Sequence, residues 1–202
     1  MREEDPPQRL IIGITGATGA IFGIRLLEAL RGSTVETHLI VSKWGAHTLG
    51  QETSYSPDRV RQMATVSYSP GDQGAAVSSG SFLTAGMVIA PCSMRTLAAI
   101  ASGQSDNLVH RAADVVLKER RKLVLLVRET PLNDIHLENM LKLSRMGAVI
   151  LPPVPAFYNH PRSLDEMVDH IVMRTLDQFG IHTDLAERWG SELTVPTHPA
   201  SL

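Results

Sequence analysis

Residues 10–20 read LIIGITGATGA, an apolar run that passes through a turn of small residues into a helical pattern. Leu10–Ile14 has the composition of a buried strand, and apolar residues recur at helical spacing in Ala20–Arg31. The glycine spacing is G-x-x-G-x-x-G, not the G-x-G-x-x-G of the usual dinucleotide fingerprint. Small residues let the backbone approach a ligand, and the start of a helix offers unpaired N–H groups to an anion. The stretch therefore predicts a strand–turn–helix unit that either binds an anionic ligand or is only a tight turn.

Apolar runs alternate with helical patterns along the rest of the chain. The sequence predicts strands at Leu10–Ile14, Val35–Val41, Thr65–Tyr68, Met87–Ala90, Leu123–Val127 and Ala148–Leu151. It predicts helices at Ala20–Arg31, Lys43–Leu49, Ser56–Ala64, Asn107–Arg120, Asp134–Met146 and Ser163–Phe179, with Asp134 as an N-cap and Ser163 and Glu166 as a capping box. This alternation predicts an α/β fold with a parallel sheet covered on both faces. Such sheets bind ligands where their strands end.

The composition is that of an ordinary globular protein. The 202 residues carry 19 Lys and Arg against 21 Asp and Glu, a formal charge of −2, and 43% are apolar. We expect one domain over residues 1–202, with a flexible N-terminus at 1–9 and an extended tail at 181–202. No basic cluster points to nucleic acid, and no apolar run approaches the roughly 20 residues of a membrane span. Cys92 has no partner for an internal disulfide and the N-terminus is polar, so we expect a cytoplasmic protein.

The end of the second predicted strand bears on the choice of nucleotide. A fold that binds NAD places Asp or Glu there, to hydrogen-bond the ribose 2′-hydroxyl. This chain has Ser42 and Lys43 instead, and the nearest acid, Glu36, lies at the start of the strand. NAD is therefore disfavoured, although Lys43 would suit the 2′-phosphate of NADP. The Tyr-x-x-x-Lys pair of short-chain reductases is also missing, because Tyr55 and Tyr158 are followed by Arg at the fourth position.

Two later strand ends carry polar side chains. After Met87–Ala90 comes PCSMRT at residues 91–96, whose hydroxyls and guanidinium can hold a phosphate, unless Ser93 only caps a helix. No His lies near Cys92 in sequence, so a buried structural thiol is favoured over a nucleophile. After Leu123–Val127 come Arg128 and Glu129, where Arg suits a phosphate and Glu suits proton transfer, unless they form a surface ion pair.

The loop after the last predicted strand is stiff and aromatic. Residues 152–161 are rich in proline and hold Phe157 and Tyr158. On the following helix, Arg174 lies among apolar neighbours, so it needs an anion if it points inward and is ordinary if it points outward. The eight histidines show no H-E-x-x-H or paired-cysteine spacing, and no metal site is expected.

Eight segments in order make the chain resemble the flavin prenyltransferases of the UbiX type. They are GITGATGA, the Ser42-Lys43 strand end, SSGSF, PCSMRTL, RAADVVLKERR, VRETPL, HLENMLKLSRMGAVILPP and PAFYNHP. The match runs from about Leu10 to Trp189. The chain especially resembles the subgroup that accompanies hydroxybenzoate, vanillate and phenolic acid decarboxylases. The resemblance implies a Rossmann-like or flavodoxin-like three-layer sandwich with a doubly wound, mainly parallel sheet, assembled as a homododecamer.

The resemblance also implies an activity and a set of site residues. A dimethylallyl group passes from dimethylallyl phosphate to reduced FMN without a metal, and the prenylated FMN serves a UbiD-type decarboxylase. The positions that match FMN contacts are Gly16, Ala17, Thr18, Ser42, Ser93, Met94, Arg95, Thr96 and Arg128. The positions that match donor-binding or other active-site residues are Tyr158, Arg174, Lys118, Glu129, Glu52 and Trp189. Many members have Ser where this chain has Thr18, which keeps the hydroxyl but adds a methyl group near the flavin.

These residue types suit that reaction. Positive charge helps a phosphate to leave, and Arg174, Lys118 and Arg128 are the candidates. Aromatic faces such as those of Tyr158 and Trp189 stabilise an allyl cation, and a carboxylate such as Glu129 can move protons. Two other functions stay open: an FMN-binding, non-catalytic accessory subunit of a decarboxylase, and a flavoprotein that decarboxylates its substrate directly.

Overall fold

The structure, a computed structural model, describes residues 8–189, in which a six-stranded sheet carries helices on both faces. The strands are β1 (Arg9–Ile14), β2 (Glu36–Val41), β3 (Val66–Tyr68), β4 (Gly86–Cys92), β5 (Lys122–Val127) and β6 (Val149–Ile150). The helices are α1 (Ala20–Leu30), α2 (Lys43–Glu52), α3 (Pro57–Met63), α4 (Met94–Ser102), α5 (Leu108–Lys118), α6 (Asp134–Arg145) and α7 (Leu164–Asp177). The expectations for residues 1–7 and 190–202 fall outside the described residues. Within residues 8–189 no helix is both long and apolar enough to cross a membrane.

The sheet is parallel throughout, and its strand order is β3-β2-β1-β4-β5-β6. This is the order of a doubly wound Rossmann sheet, so the predicted fold class is confirmed. The chain leaves β1 toward β2 on one side and returns to β4 on the other. A crevice opens at the carboxyl ends of the strands where the winding reverses, and ligands of such folds bind there.

Alternate residues of each central strand fill two separate cores. Ile11 packs into the core under α4, α5 and α6, whereas Ile12 and Ile14 pack into the core under α1 and α7. Helix α1 lies especially close to the sheet at Gly23, where a Cβ atom would stand 2.7 Å from the carbonyl oxygen of Ala90. The near-continuous apolar strands are those of a sheet buried on both faces, as the sequence predicted.

The N-terminus of α6 corrects one prediction. The capping side chain is Asn133 rather than Asp134, because Asn133 Oδ1 accepts a hydrogen bond from the backbone N–H of His136 at 2.9 Å. In return the Asn133 N–H donates to His136 Nδ1 at 3.4 Å, which completes a reciprocal box. Asp134 instead lies in the first turn, where its negative charge is favourable at the positive end of the helix dipole.

The N-terminus of α7 agrees with the predicted cap in part. Ser163 Oγ accepts a hydrogen bond from the N–H of Glu166 at 3.2 Å. The Glu166 carboxylate accepts from the N–H of Arg162 at 2.6 Å rather than from Ser163, so the return bond of the box is shifted by one residue. The helix ends at Asp177, two residues before the predicted end, and in the turn that follows Gly180 takes a positive φ of 69°, a conformation that favours glycine.

Candidate active site

A cavity of about 520 Å³ opens at the crevice between β1, β2 and β4. Five of the predicted cofactor-binding residues line it, namely Gly16, Ser42, Ser93, Arg95 and Thr96. They come from three separate strand ends, which the strand order brings side by side. Of the other predicted positions, Ala17 and Thr18 follow β1, Met94 follows β4 and Arg128 follows β5, all at this edge of the sheet, although the Met94 side chain packs onto the core.

Two of the helices that begin at this cavity are capped by predicted site residues. Ser42 Oγ accepts from the N–H of Gly45 at the start of α2, and Ser93 Oγ accepts from the N–H of Thr96 at the start of α4. The capping role considered for Ser93 is therefore confirmed, and it places the residue on the cavity wall as well. The first N–H groups of a helix have no partner within it, so the two helix starts and the Arg95 guanidinium favour an anion here.

Thr15 ties two turns of the cavity together. Its hydroxyl donates to the carbonyl oxygen of Pro91 at 2.7 Å and accepts from the N–H of Ser93 at 2.9 Å. Thr15 is itself almost completely buried. The turn after β1 and the turn after β4 therefore hold a fixed spacing on either side of the crevice.

Gly16 is required where the first turn meets α2. A Cβ atom on Gly16 would stand 2.5 Å from the Cβ of Trp44, a separation that real Cβ atoms essentially never show. Trp44 lines the same cavity, and its side chain is 60% exposed. The missing side chain of Gly16 thus lets an exposed aromatic wall stand next to the small-residue turn.

Glu52 binds the backbone at the start of α1. Its Oε2 atom accepts hydrogen bonds from the N–H groups of Gly19 at 2.8 Å and Ala20 at 3.1 Å. The anion at this helix start is therefore a carboxylate of the chain itself, which corrects the expectation that these N–H groups are open to a ligand. Glu52 lies directly beside the small-residue turn that the resemblance assigns to the flavin.

Cys92 lies beneath the cavity, and its side chain is completely buried. Burial raises the pKa of its thiol to about 12, so almost no thiolate exists near neutral pH. The burial that the sequence predicted for this thiol is confirmed.

Arg128 and Glu129 are both exposed where β5 ends. The N–H of Arg128 donates to the carbonyl oxygen of Cys92 at 3.1 Å, and Glu129 Oε1 accepts from the N–H of Thr130 at 3.1 Å. Within residues 8–189 the two side chains form no ion pair with each other. Both charges stay available at the ligand-binding edge of the sheet.

A second group of predicted residues lies on the outer side of α7. The Tyr158 hydroxyl and His170 Nε2 share a hydrogen bond of 3.0 Å. The Tyr158 and Trp189 rings meet edge to face, with centroids 5.2 Å apart. Arg174 points outward, and 54% of its side chain is exposed. Of the two orientations that the sequence allowed for Arg174, the structure shows the outward one.

Asp177 joins the segment after α7 to the helix. The two carboxylate oxygens of Asp177 each accept a hydrogen bond of 2.8 Å from the Arg188 guanidinium, and His182 Nδ1 lies at 3.1 Å. Arg174 reaches the same carboxylate only at 3.4 Å. The hydrogen bonds from Arg188 are the main cause that lowers the pKa of Asp177 to about 2, so the carboxylate is ionised at neutral pH. The tail segment that carries Trp189 is held against α7 by this ion pair.

Lys118 lies at the amino edge of the sheet, opposite the edge where the cavity opens. Helix α5 begins at the carboxyl edge of the sheet, where the N–H of Leu108 donates to the carbonyl oxygen of Pro70, two residues after β3. The helix ends at Lys118, just before β5 begins. Eleven helical residues span about 16 Å at 1.5 Å each. Lys118 pairs with Glu119 there. The residues that the resemblance assigns to one site therefore occupy three places in one chain.

Several residues at these places escaped the sequence reasoning. Trp44, Asp106, Asn107 and His110 line the cavity, and His170, Asp177 and Arg188 organise the outer side of α7. Trp44 follows the Ser42-Lys43 strand end directly, a signal that could have identified it. The others depend on contacts distant in sequence. Within residues 8–189 no three His, Cys, Asp or Glu side chains come together to hold a metal ion.

Comparisons with known proteins place the chain in a family. The sequence model of the Flavoprotein family matches residues 1–176. A probable UbiX-like flavin prenyltransferase of Bacillus subtilis strain 168 is 65% identical over 181 residues, which cover 90% of this chain and 89% of that protein.

Two solved structures are also similar over almost the whole described chain. A dodecameric FMN-dependent UbiX-like decarboxylase of Escherichia coli O157:H7 is 58% identical with a TM-score of 0.89, covering 90% of this chain and 99% of that one. AnUbiX (PadA1), in complex with FMN and dimethylallyl pyrophosphate, is 53% identical with a TM-score of 0.90, covering 91% and 98%. The cavity at the carboxyl ends of the strands agrees with these similarities. The chain belongs to the Flavoprotein family and, within it, to the UbiX-type flavin prenyltransferases.

Proposed function

We propose that this protein transfers a dimethylallyl group from dimethylallyl phosphate to reduced FMN without a metal ion. The observation that carries the proposal is the cavity at the crevice, where Gly16, Ser42 and Ser93 line one wall together with two helix starts. The similarity to flavin prenyltransferases supports the same activity.

The residues present fit FMN. Hydroxyls, backbone N–H groups and Arg95 suit the phosphate and ribityl chain, and the exposed Trp44 ring offers a flat apolar wall for a ring system. The residues that would hold it are Gly16, Ala17, Thr18, Ser42, Ser93, Met94, Arg95, Thr96 and Arg128. Met94 would contribute its backbone, because its side chain packs onto the core. When bound, reduced FMN supplies the electron-rich ring atoms that accept the prenyl group.

Tyr158, Arg174 and Trp189 would hold the donor. Breaking the carbon–oxygen bond of dimethylallyl phosphate leaves an electron pair on the phosphate, and the Arg174 guanidinium neutralises that charge. Arg188 occupies Asp177 with two bonds of 2.8 Å, which leaves Arg174 only the 3.4 Å contact and frees it for a phosphate. The Tyr158 and Trp189 rings face the allyl carbons and stabilise their developing positive charge.

Three further residues would complete the chemistry. Glu129 moves a proton from the acceptor ring or to the leaving phosphate, since it is an exposed carboxylate at the ligand-binding edge. Lys118 adds positive charge toward the phosphate. Glu52 fixes the turn after β1 through its bonds to Gly19 and Ala20.

The active unit is an assembly of copies. Within a single chain, Lys118 lies at the amino edge of the sheet, whereas Gly16 and Glu129 lie at the carboxyl edge. Neighbouring copies in a homododecamer would bring these edges together, and the dodecameric relative supports this. A mixture of Lys118→Ala and Glu129→Ala chains, refolded together, should regain part of the activity that each variant lacks alone. No recovery in mixed assemblies would show that each chain forms its own site.

The product would leave for a decarboxylase of the UbiD type. We place this reaction in the cytoplasm, in a protein whose residues 1–202 form a single flavoprotein domain. Neither nucleic acid nor a membrane takes part.

The decisive experiment is anaerobic incubation of the purified protein with reduced FMN and dimethylallyl phosphate, with and without EDTA, followed by mass analysis of the flavin. A flavin heavier by one C₅H₈ unit in both samples is the expected result. Unmodified FMN with both the monophosphate and the pyrophosphate donor would favour an accessory FMN-binding subunit or a direct decarboxylase instead. Loss of the product only with EDTA would contradict the metal-independent reaction.

A further inference from the structure

His170 contacts the aromatic residue that would face the allyl group. Its Nε2 atom lies 3.0 Å from the Tyr158 hydroxyl, and the two rings meet edge to face with centroids 5.8 Å apart. The Tyr158 and Trp189 rings also meet edge to face, with centroids 5.2 Å apart. The Tyr158 side chain is 46% exposed, so these two neighbours, rather than a surrounding core, set the direction of its ring.

The position of His170 on α7 is fixed by the core. The next residues, Ile171 and Val172, are buried against the sheet, and His170 itself is half-buried. Tyr158 lies in a single 3-10 turn, Phe157–Asn159, whereas His170 belongs to the 14-residue helix α7. Their hydrogen bond therefore fixes the position of the short turn relative to the helix. The imidazole is therefore the rigid partner of the pair.

His170 and Arg174 stand four residues apart, on the same face of α7. One turn of helix separates them by about 6 Å along the axis. The Tyr158 ring and the Arg174 guanidinium are thus presented from one rigid element. This spacing suits a small ligand with an apolar group at one end and a phosphate at the other.

Burial and the neighbouring Arg174 charge lower the pKa of His170 below its usual value, whereas Asp177 opposes the shift. The imidazole is then neutral at pH 7 and adds no net charge beside a phosphate. What it contributes at this place is a hydrogen bond.

We propose that His170 is a positioning residue for the prenyl donor, holding the Tyr158 hydroxyl so that the ring lies one helical turn from Arg174. The inference rests on the proposed function, since it is that reaction which gives Tyr158 a substrate. His170 acts through Tyr158 and does not itself touch the donor.

The test combines substitutions at the two partners. His170→Leu removes the hydrogen bond, His170→Gln restores an amide N–H at a similar reach, and Tyr158→Phe removes the hydroxyl. Met167→Leu, three residues earlier on α7 and beside His170 in a separate surface pocket, is the matched control. For each variant we would measure FMN affinity, and kcat and KM for dimethylallyl phosphate.

The expected loss in kcat/KM for the donor is roughly 3- to 10-fold in His170→Leu and in Tyr158→Phe, as for one lost hydrogen bond. The double variant should lose no more than either single one, because both remove the same bond. FMN affinity should not change, and His170→Gln and Met167→Leu should stay close to the wild type. Independent, multiplying losses, or no loss in His170→Leu, would overturn the proposal.

A second measurement does not depend on turnover. With Trp44→Phe as background, Trp189 is the remaining tryptophan and reports on the Tyr158 ring, which it meets edge to face. Its emission should shift in His170→Leu and return in His170→Gln. If the wild type fails to prenylate FMN while this shift occurs, the proposed function is wrong and the positioning contact stands. If prenylation occurs without any shift or kinetic effect, the positioning role is wrong and the function stands.

Discussion

Glu52, the last residue of α2, accepts a hydrogen bond of 2.8 Å from the backbone N–H of Gly19, directly before α1. In many doubly wound folds this helix start binds the phosphate of a nucleotide. Here a carboxylate already satisfies it, so under the proposed function the phosphate would bind at the neighbouring starts of α2 and α4. The same contact ties α2 to the first turn and so shapes one side of the cavity.

Replacing Glu52 should lower stability in a graded way. Glu52→Ala removes both the acceptor and the charge, and we expect the free energy of unfolding to fall by about 1–2 kcal/mol. Glu52→Gln keeps an acceptor oxygen and should lose roughly half as much. Urea unfolding at fixed protein concentration measures both, with the exposed neighbour Gln51→Ala as the control. Equal stability of Glu52→Ala and Gln51→Ala would show that the contact contributes nothing to the fold.

A methyl group at position 16 should impair flavin binding. Gly16→Ala places a Cβ 2.5 Å from the Trp44 Cβ, and neither atom is the end of a flexible side chain. The turn and the start of α2 must separate, so we expect FMN affinity to fall roughly tenfold or more. Titration of FMN fluorescence measures it. Gly50→Ala, later in α2 and open to solvent on its Cβ side, is the matched control and should bind FMN normally.

The sheet and the cavity at the carboxyl ends of its strands follow from local sequence. Strands such as Leu123–Val127 are buried on both faces and short, so apolar runs identify them, and polar residues after them must lie at one edge. Ser42, Ser93 and Arg95 could be placed together on that basis before any contact was known. The N-cap of α6 shows the limit of such reasoning, because Asn133 and Asp134 are both good caps and only the bond to His136 separates them.

The outer side of α7 could not be derived in this way. Tyr158, His170 and Trp189 come together because the chain turns back along the helix after Gly180, and no periodicity encodes that course. Lys118 differs again. A residue at the end of a helix that precedes a strand lies at the amino edge, so its distance from the cavity follows from topology, and only the family resemblance connects it with the site.

The tail segment should detach from α7 in acid. The pKa of Asp177 is lowered from 3.8 to about 2, first by its hydrogen bonds to Arg188, so the ionised pair stabilises the folded state above about pH 4. That stabilisation is lost as the pH falls from about 4 toward 2, because the protonated carboxyl no longer holds the guanidinium. In the Trp44→Phe background, the fluorescence anisotropy of Trp189 should fall over this range. Asp177→Asn should show low anisotropy already at pH 6 and no acid step, and a variant that matches the wild type at pH 6 would contradict the tether.

The thiol of Cys92 should be inert in the folded protein although it lies beside the cavity. The side chain is completely buried, and the pKa of about 12 leaves roughly one thiolate in ten thousand at pH 8. An aromatic disulfide reagent should therefore modify Cys92 only at the rate of unfolding, and the rate should rise with urea in step with the loss of structure. Cys92→Ala should keep prenyl transfer while losing about 1 kcal/mol of stability, because a small buried group is removed from a packed core. Rapid modification of the native protein, or loss of turnover in Cys92→Ala with stability intact, would show that Cys92 is a reactive residue after all.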